Sequence, residues 1–195
     1  MRVIGGTAKS TPLASLKGAK VRPTLDRVRE SLFNQLAGEI EGARLLDLFA
    51  GSGAIGIEAL SRGAVEVVFV ELNHRAQAVI YQNLAKCRFL DSESEEKKSK
   101  NWILLKSNAL HALKVLAERH HEFDFVYVDP PYADDLYGET LTALAHSSLL
   151  AESVRVIAEH HHKTPLQESY GRLILKKTRQ TGDTCLSFYG FNTHS

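Results

Sequence analysis

Residues 45–60, LLDLFAGSGAIGIEAL, change character at Gly51. Before it lies an apolar run broken by one acid, Asp47. After it, Gly51, Gly53 and Gly56 stand in GxGxxG spacing at the mouth of a helical pattern. Glycines let a backbone turn sharply and approach a ligand closely, and a helix start offers free N–H groups. The stretch therefore predicts a strand, a ligand-binding turn and a helix.

Outward from this unit, RLLDLFA (44–50), VEVVFVE (65–71), WILLKSN (102–108), FDFVYVD (123–129) and SVRVIAE (153–159) read as strands. Most of the spaces between them hold a helix. Near-continuous apolar strands alternating with amphipathic segments imply a mostly parallel sheet covered on both faces, a doubly wound α/β fold. GRLILKKTR (171–179) and TCLSFYGF (184–191) flank a short Gly182-Asp183 turn, which suits an antiparallel hairpin at the sheet's edge and brings the expected strands to seven. Upstream, RVIGG and the Gly18 region read as a small β extension, followed by a helix from Thr24 or Leu25 to Ala37. The mixed-charge run DSESEEKKSK (91–100) reads as a surface loop.

A chain of 195 residues with 44% apolar content suits one compact domain. No apolar stretch approaches the roughly 20 residues that span a bilayer, and the first residues lack a secretory run, so a cytoplasmic protein with no membrane association is expected. Cys87 and Cys185, far apart and without CxxC spacing, read as core residues. His120-His121 and His160-His161-His162 read as solvated edge residues, and no metal site is expected. The net charge is only +1, but the first 30 residues carry Arg2, Lys9, Lys17, Lys20, Arg22, Arg27 and Arg29 against Asp26 and Glu30. A basic segment on a near-neutral body points to a polyanionic partner.

Glu71 ends the second strand 20 residues past Gly51, where a carboxylate can accept both ribose hydroxyls of an adenosine-containing cofactor. NAD and S-adenosylmethionine both present that ribose. Asp47 discriminates between them, because a buried carboxylate needs a partner; the amino group of a methionine moiety supplies one, whereas a pyrophosphate is repelled. Asn108, after the third strand, is placed either to bond the adenine edge or to cap the next helix. The candidate cofactor residues are Asp47, Ala50, Gly51, Ser52, Gly53, Glu71, Leu72, Asn108, Ala109 and Asp129.

The fourth strand ends in Asp129-Pro130-Pro131-Tyr132. Ligands of open α/β sheets bind outside the carboxyl ends of the strands, so Asp129 is expected in the cofactor cleft. Two prolines remove two backbone donors and free the Pro130 carbonyl to accept a bond from elsewhere. Two adjacent acceptors suit the NH₂ group of a nucleobase, and Tyr132 would stack on the base, which must be flipped out or unpaired. Asp129, Pro130 and Tyr132 are the candidate catalytic residues.

DLFAGSGAIGIEAL, VELN and VDPPY, in that order, resemble the S-adenosylmethionine-dependent methyltransferases of nucleobase amino groups. MRVIGG, VRPTLDRVRESLFNQL (21–36) and the ending GDTCLSFYGF further resemble the bacterial 16S ribosomal RNA guanine-N2 methyltransferases. That resemblance implies a Rossmann-like fold, methylation of one guanine N2 of the small ribosomal subunit, and an RNA side lined by Arg22, Thr24, Arg27, Arg29 and Asn34. The chain is read as an RNA-contacting extension and helix (1–40) followed by a cofactor-binding methyltransferase domain (41–195), and a monomer is expected. Where the family carries a basic-Gly-basic turn, this chain has Lys9-Ser10-Thr11-Pro12. The same acceptor pair would serve an adenine N6 in DNA or RNA; an oxidoreductase or an inactive RNA-binding module on this scaffold are the readings from other classes.

Overall fold

Parallel strands that share a sheet place their carboxyl ends on one edge, and the order of the strands decides where that edge opens. A computed structural model of the chain describes residues 1–16, 23–90, 101–131 and 134–192. The elements are α1 (Pro23–Gln35), β1 (Arg44–Asp47), α2 (Ala54–Ser61), β2 (Glu66–Val70), α3 (His74–Lys86), β3 (Trp102–Leu105), α4 (Ala109–Glu118), β4 (Phe123–Val128), α5 (Asp134–His146), β5 (Leu150–His161), β6 (Ser169–Tyr170), β7 (Leu173–Thr181) and β8 (Thr184–Gly190).

They form one sheet in the order β3-β2-β1-β4-β5-β8-β7-β6. The first five strands pair in parallel, and β8 pairs antiparallel with both β5 and β7. This is the expected α/β architecture with one strand more, the two-residue β6. The terminal hairpin lies at that end of the sheet, with its second strand, β8, beside β5 and β7 outside it. The chain leaves β1 toward β2 and β3, then crosses back to β4, so the crevice opens between β1 and β4.

The central strands β1, β2 and β4 are buried on both faces, as their apolar runs require. One core gathers Leu32, Leu45, Ile57, Phe69, Tyr127 and Phe188; the other gathers Leu46, Val68, Leu113, Val126, Leu141 and Tyr189. Helix α1 begins at Pro23, a residue suited to a first turn, and buries Val28 and Leu32, with Leu36 buried just past its end. The Gly18 region and residues 91–100 lie outside the described residues.

The N-terminal extension is a short hairpin closed by the Arg2–Pro12 bridge and by the Val3–Thr11 and Ser10–Val3 backbone bonds. Ser10 turns it with φ +70°, a left-handed conformation that favours glycine. The hairpin docks on α2 through one acid. Glu58 is 1% exposed in an otherwise apolar helix, and its two oxygens accept the Ile4 and Gly5 amides, each at 2.8 Å. Arg62 Nε donates to it at 2.7 Å, and Arg29 Nε lies 3.7 Å away. Ser61 completes the seam by accepting the Ala8 amide and donating to the Gly5 carbonyl. A Cβ on Gly6 would stand 1.7 Å from the Ser61 carbonyl oxygen, so the second glycine of RVIGG is required by close approach.

Removing one partner of a buried ion pair typically costs about 3–5 kcal/mol. Glu58→Ala is expected to lower the urea-unfolding free energy by about that amount. An unchanged urea midpoint would show that the seam contributes nothing to folding.

Candidate active site

Past β1 the backbone keeps its neighbours for three more residues: the Leu48 amide donates to the Tyr127 carbonyl and the Ala50 amide to that of Val70. It then turns through Gly51 (φ +53°) and Gly53 (φ +76°), the latter opening α2 without any side-chain cap. One of the first amides of that helix start, Gly56, turns to the Asp47 carboxyl. At Gly56 a Cβ would stand 2.2 Å from the Phe69 ring, so the third glycine lets α2 lie directly on β2.

Glu71, just past β2, reaches back to this turn. Its carboxylate accepts the Gly51 amide at 2.8 Å and the Asn73 amide at 2.7 Å. Each oxygen retains a further lone pair, as a ribose acceptor needs. Beside it Leu72 is 68% exposed, a large apolar side chain left uncovered at the loop. Asn108 caps α4 by accepting the His111 amide at 2.9 Å, so the capping reading is realised and its amide nitrogen has no partner among the described residues. Ala109 follows as the buried first residue of α4.

Three acids converge at the carboxyl ends of β1, β4 and β5. Asp47 is 1% exposed and its Oδ2 has no partner. Burial raises its pKa to about 7, with the Glu71 charge adding to the rise and the Gly56 and Phe49 amides opposing it. Asp129 follows β4 and is an exposed residue, with protein packed around one side of its carboxyl. That crowding, then the charges of Glu159 and Asp47, push its pKa well above the ordinary carboxylate range. Burial also raises Glu159, opposed by the Tyr127 hydroxyl that donates to its Oε2. The Tyr137 hydroxyl donates to the Glu159 backbone carbonyl at 2.7 Å. Pro130 is buried behind Asp129; Tyr132 lies outside the described residues.

Glu159 and Tyr127 were not among the expected site residues. Their signal was nonetheless present: Glu159 closes the apolar run of β5 as Asp129 closes that of β4.

The expected RNA side divides. Arg27 and Asn34 are exposed on α1. Arg29 is not available there: it is 3% exposed and directs its guanidinium to Asp26, Glu58 and the Arg2 carbonyl, because it lies on the face of α1 that packs onto α2. Arg22 and the Thr24 side chain lie outside the described residues.

His160 also departs from expectation. It is buried, with Nε2 2.9 Å from the Ser187 hydroxyl, and burial lowers its pKa. Ligand atoms of His161, His162 and Asp183 come within 4.8 Å of one another at the surface. His161 Nδ1 already accepts the Lys163 amide, and His162 Nδ1 faces the Asp183 carbonyl. Cys87 and Cys185 are free and buried.

A glycine turn, an acid after the second strand and an acid-proline pair after the fourth thus share one crevice. A family model described as "Conserved hypothetical protein 95" matches residues 1–190. Ribosomal RNA small subunit methyltransferase D of Escherichia coli is 33% identical over 97% of this chain and 89% of its own length. The chain belongs to this methyltransferase family. YlbH of Bacillus subtilis is 34% identical over 97% of this chain and 98% of its own. The solved structure of YhhF from Escherichia coli superposes with a TM-score of 0.81 at 30% identity, covering 100% of this chain and 99% of that one. Membership thus embraces the N-terminal hairpin and α1 as well as the crevice. Among the described residues, no helix is long and apolar enough to cross a membrane.

The raised acids predict a pH dependence of the ligand-free protein. Asp47 goes from 3.8 to about 7 on folding, so between those values the folded state binds more protons than the unfolded one and stability falls as pH rises. Its stabilising contribution is fully present below about pH 4 and lost through about pH 7. Glu159 acts in the same direction. Urea midpoints are expected to fall from pH 5 to pH 8, and less steeply in Asp47→Asn; equal slopes would contradict the burial of a carboxyl with one oxygen left unpartnered.

Proposed function

We propose that the protein transfers a methyl group from S-adenosylmethionine to the exocyclic N2 amine of a guanine in the 16S rRNA of the small ribosomal subunit. One observation carries the reading: Asp129, ahead of a proline pair, stands at the same edge as Asp47, whose buried Oδ2 has no partner. S-adenosylmethionine, when bound, supplies an electrophilic methyl group and a cationic amino group.

The residues present fit that cofactor. Asp47 Oδ2 is a buried acceptor without a donor, which a cationic amino group complements directly or through water. Ala50, Gly51, Ser52 and Gly53 form the turn that approaches it; Glu71 accepts from the ribose; Leu72, Asn108 and Ala109 border the adenine.

On the substrate side, Asp129 and the Pro130 carbonyl each accept one hydrogen of the guanine amine. A nucleobase amine is a poor nucleophile because its lone pair is delocalised into the ring, and this pair of acceptors favours the pyramidal nitrogen whose lone pair is free. Positioning then does most of the work, since holding two reactants in line replaces a bimolecular encounter. With its pKa raised, Asp129 is also a better acceptor for the proton the alkylated amine must shed, and Glu159 lies beside it to share the charge. Tyr132 stacks on the base. Arg27 and Asn34 on α1, with Arg22 and Thr24 before and at its start, contact the RNA from the N-terminal region (1–40), while residues 41–195 carry the chemistry in the cytoplasm.

Undermodified small subunits incubated with methyl-labelled S-adenosylmethionine are expected to yield label in N2-methylguanine. Label confined to adenine, or efficient methylation of duplex DNA, would overturn the assignment. Asp129→Ala is expected to lower kcat by about 10²–10⁴-fold while calorimetric cofactor affinity stays within a few-fold; loss of cofactor binding alone would give Asp129 a different role.

A further inference from the structure

An open groove of about 550 Å³ runs between α1 and β7. Arg27, Ser31 and Asn34 line one wall. Spaced i, i+4 and i+7, they share one face of the helix. Lys177 and Arg179, two apart on β7, line the other and point to one side of the sheet. The ladder fixes which side: Lys177 is paired with Phe188 and Arg179 with Leu186, both residues of the core that α1 covers.

The groove carries three cations against one acid, Glu30. Among the described residues, no carboxylate lies within ion-pair distance of Arg27, Lys177 or Arg179. The nearby Arg155 is different, its guanidinium being held by Glu39 at 2.7 Å. The Lys177 ammonium sits 4.6 Å over the Phe188 ring, which fixes its position without neutralising it. Burial, then repulsion from Arg155 and Arg179, lowers the Lys177 pKa, with Glu39 opposing. Cations that crowd one another without a counterion form a preorganised anion site.

The groove also has a direction. Arg179 pairs with Leu186, and Leu186 pairs with Glu159. Arg179 is therefore two strands, roughly 10 Å, from the acid beside Asp129.

We infer that this groove holds the RNA phosphodiester backbone adjoining the nucleotide in the cleft, with Lys177 and Arg179 as phosphate ligands facing Arg27 across it. The inference rests on the rRNA reading above and extends the RNA surface from the N-terminal helix to the terminal hairpin. A ligand anionic along its length suits cations on both walls, and Ser31 and Asn34 add neutral donors for phosphate oxygens.

The test is the salt dependence of binding to in vitro-transcribed 16S rRNA. The double variant Lys177→Gln/Arg179→Gln is compared with Lys114→Gln/Arg119→Gln, which removes the same charge near α4 on the opposite sheet face. Each lost phosphate contact removes roughly 0.7–0.9 from the log–log salt slope. The groove variant is expected to bind at least about 10-fold more weakly at low salt, with a slope smaller by roughly 1.4–1.8; the α4 variant keeps the wild-type slope, and Arg179→Lys restores most of it to Lys177-containing protein. A groove variant with an unchanged slope overturns the inference, as does weakened binding of polyglutamate without weakened binding of the transcript. The reaction itself is judged separately: wild-type protein that binds the transcript with this slope yet leaves guanine unmethylated keeps the groove and rejects the reaction.

Discussion

The constraint on which the rest depends is the gathering of acids at one edge of the sheet. Asp47, Asp129 and Glu159 come from three adjacent strands, and the carboxyl ends of parallel strands leave them no choice but to meet. Like charges crowded by protein are costly unless something answers them. The protein answers in part, through the Tyr127 hydroxyl on Glu159 and the Gly56 and Phe49 amides near Asp47. It leaves Asp47 Oδ2 without a donor. The function proposed above assigns that unmet oxygen to the cationic amino group of the cofactor.

The elements around that edge are braced as one body. Asn83 on α3 accepts the Ala14 amide and donates to the Ala14 and Ser52 carbonyls, so a single buried side chain ties the N-terminal segment to the glycine turn. Glu58 joins the RVIGG hairpin, α1 and α2 in the same way. The helix proposed to meet RNA and the turn proposed to meet the cofactor therefore share their supports. This gives physical content to the sequence signatures of the family's N-terminal third: RVIGG supplies amides for Glu58 and a glycine that can press on Ser61, and the second arginine of DRVRE supplies a buried counter-charge rather than a phosphate contact.

Much of this was legible in the sequence where the governing contacts are local. Continuous apolar runs announced strands buried on both faces, the GxGxxG spacing announced the turn into α2, and the proline pair announced that Asp129 ends its strand. What depended on pairing between distant residues was not. Arg29 reads as a surface residue until Glu58, far along the chain, is known to lie beneath it. His160 reads as solvated until β8 inserts beside β5 and brings Ser187 to it. Glu159 reads as a strand end until the sheet order sets it beside Asp129. Asn108 carried two readings at once, and the cap occupies only its oxygen.

The account is tested most directly by the protons exchanged when S-adenosylmethionine binds. Near pH 6.5, below the Asp47 pKa of about 7, Asp47 is largely protonated in the ligand-free site, and a cationic amino group must displace a proton to pair with it. Calorimetry in buffers of different ionisation enthalpy is predicted to show net proton release by the wild-type protein and a smaller release by Asp47→Asn. Tight binding with no proton exchange, or equal release by the two proteins, would contradict the claim that the unanswered acid at the end of β1 is what the cofactor meets.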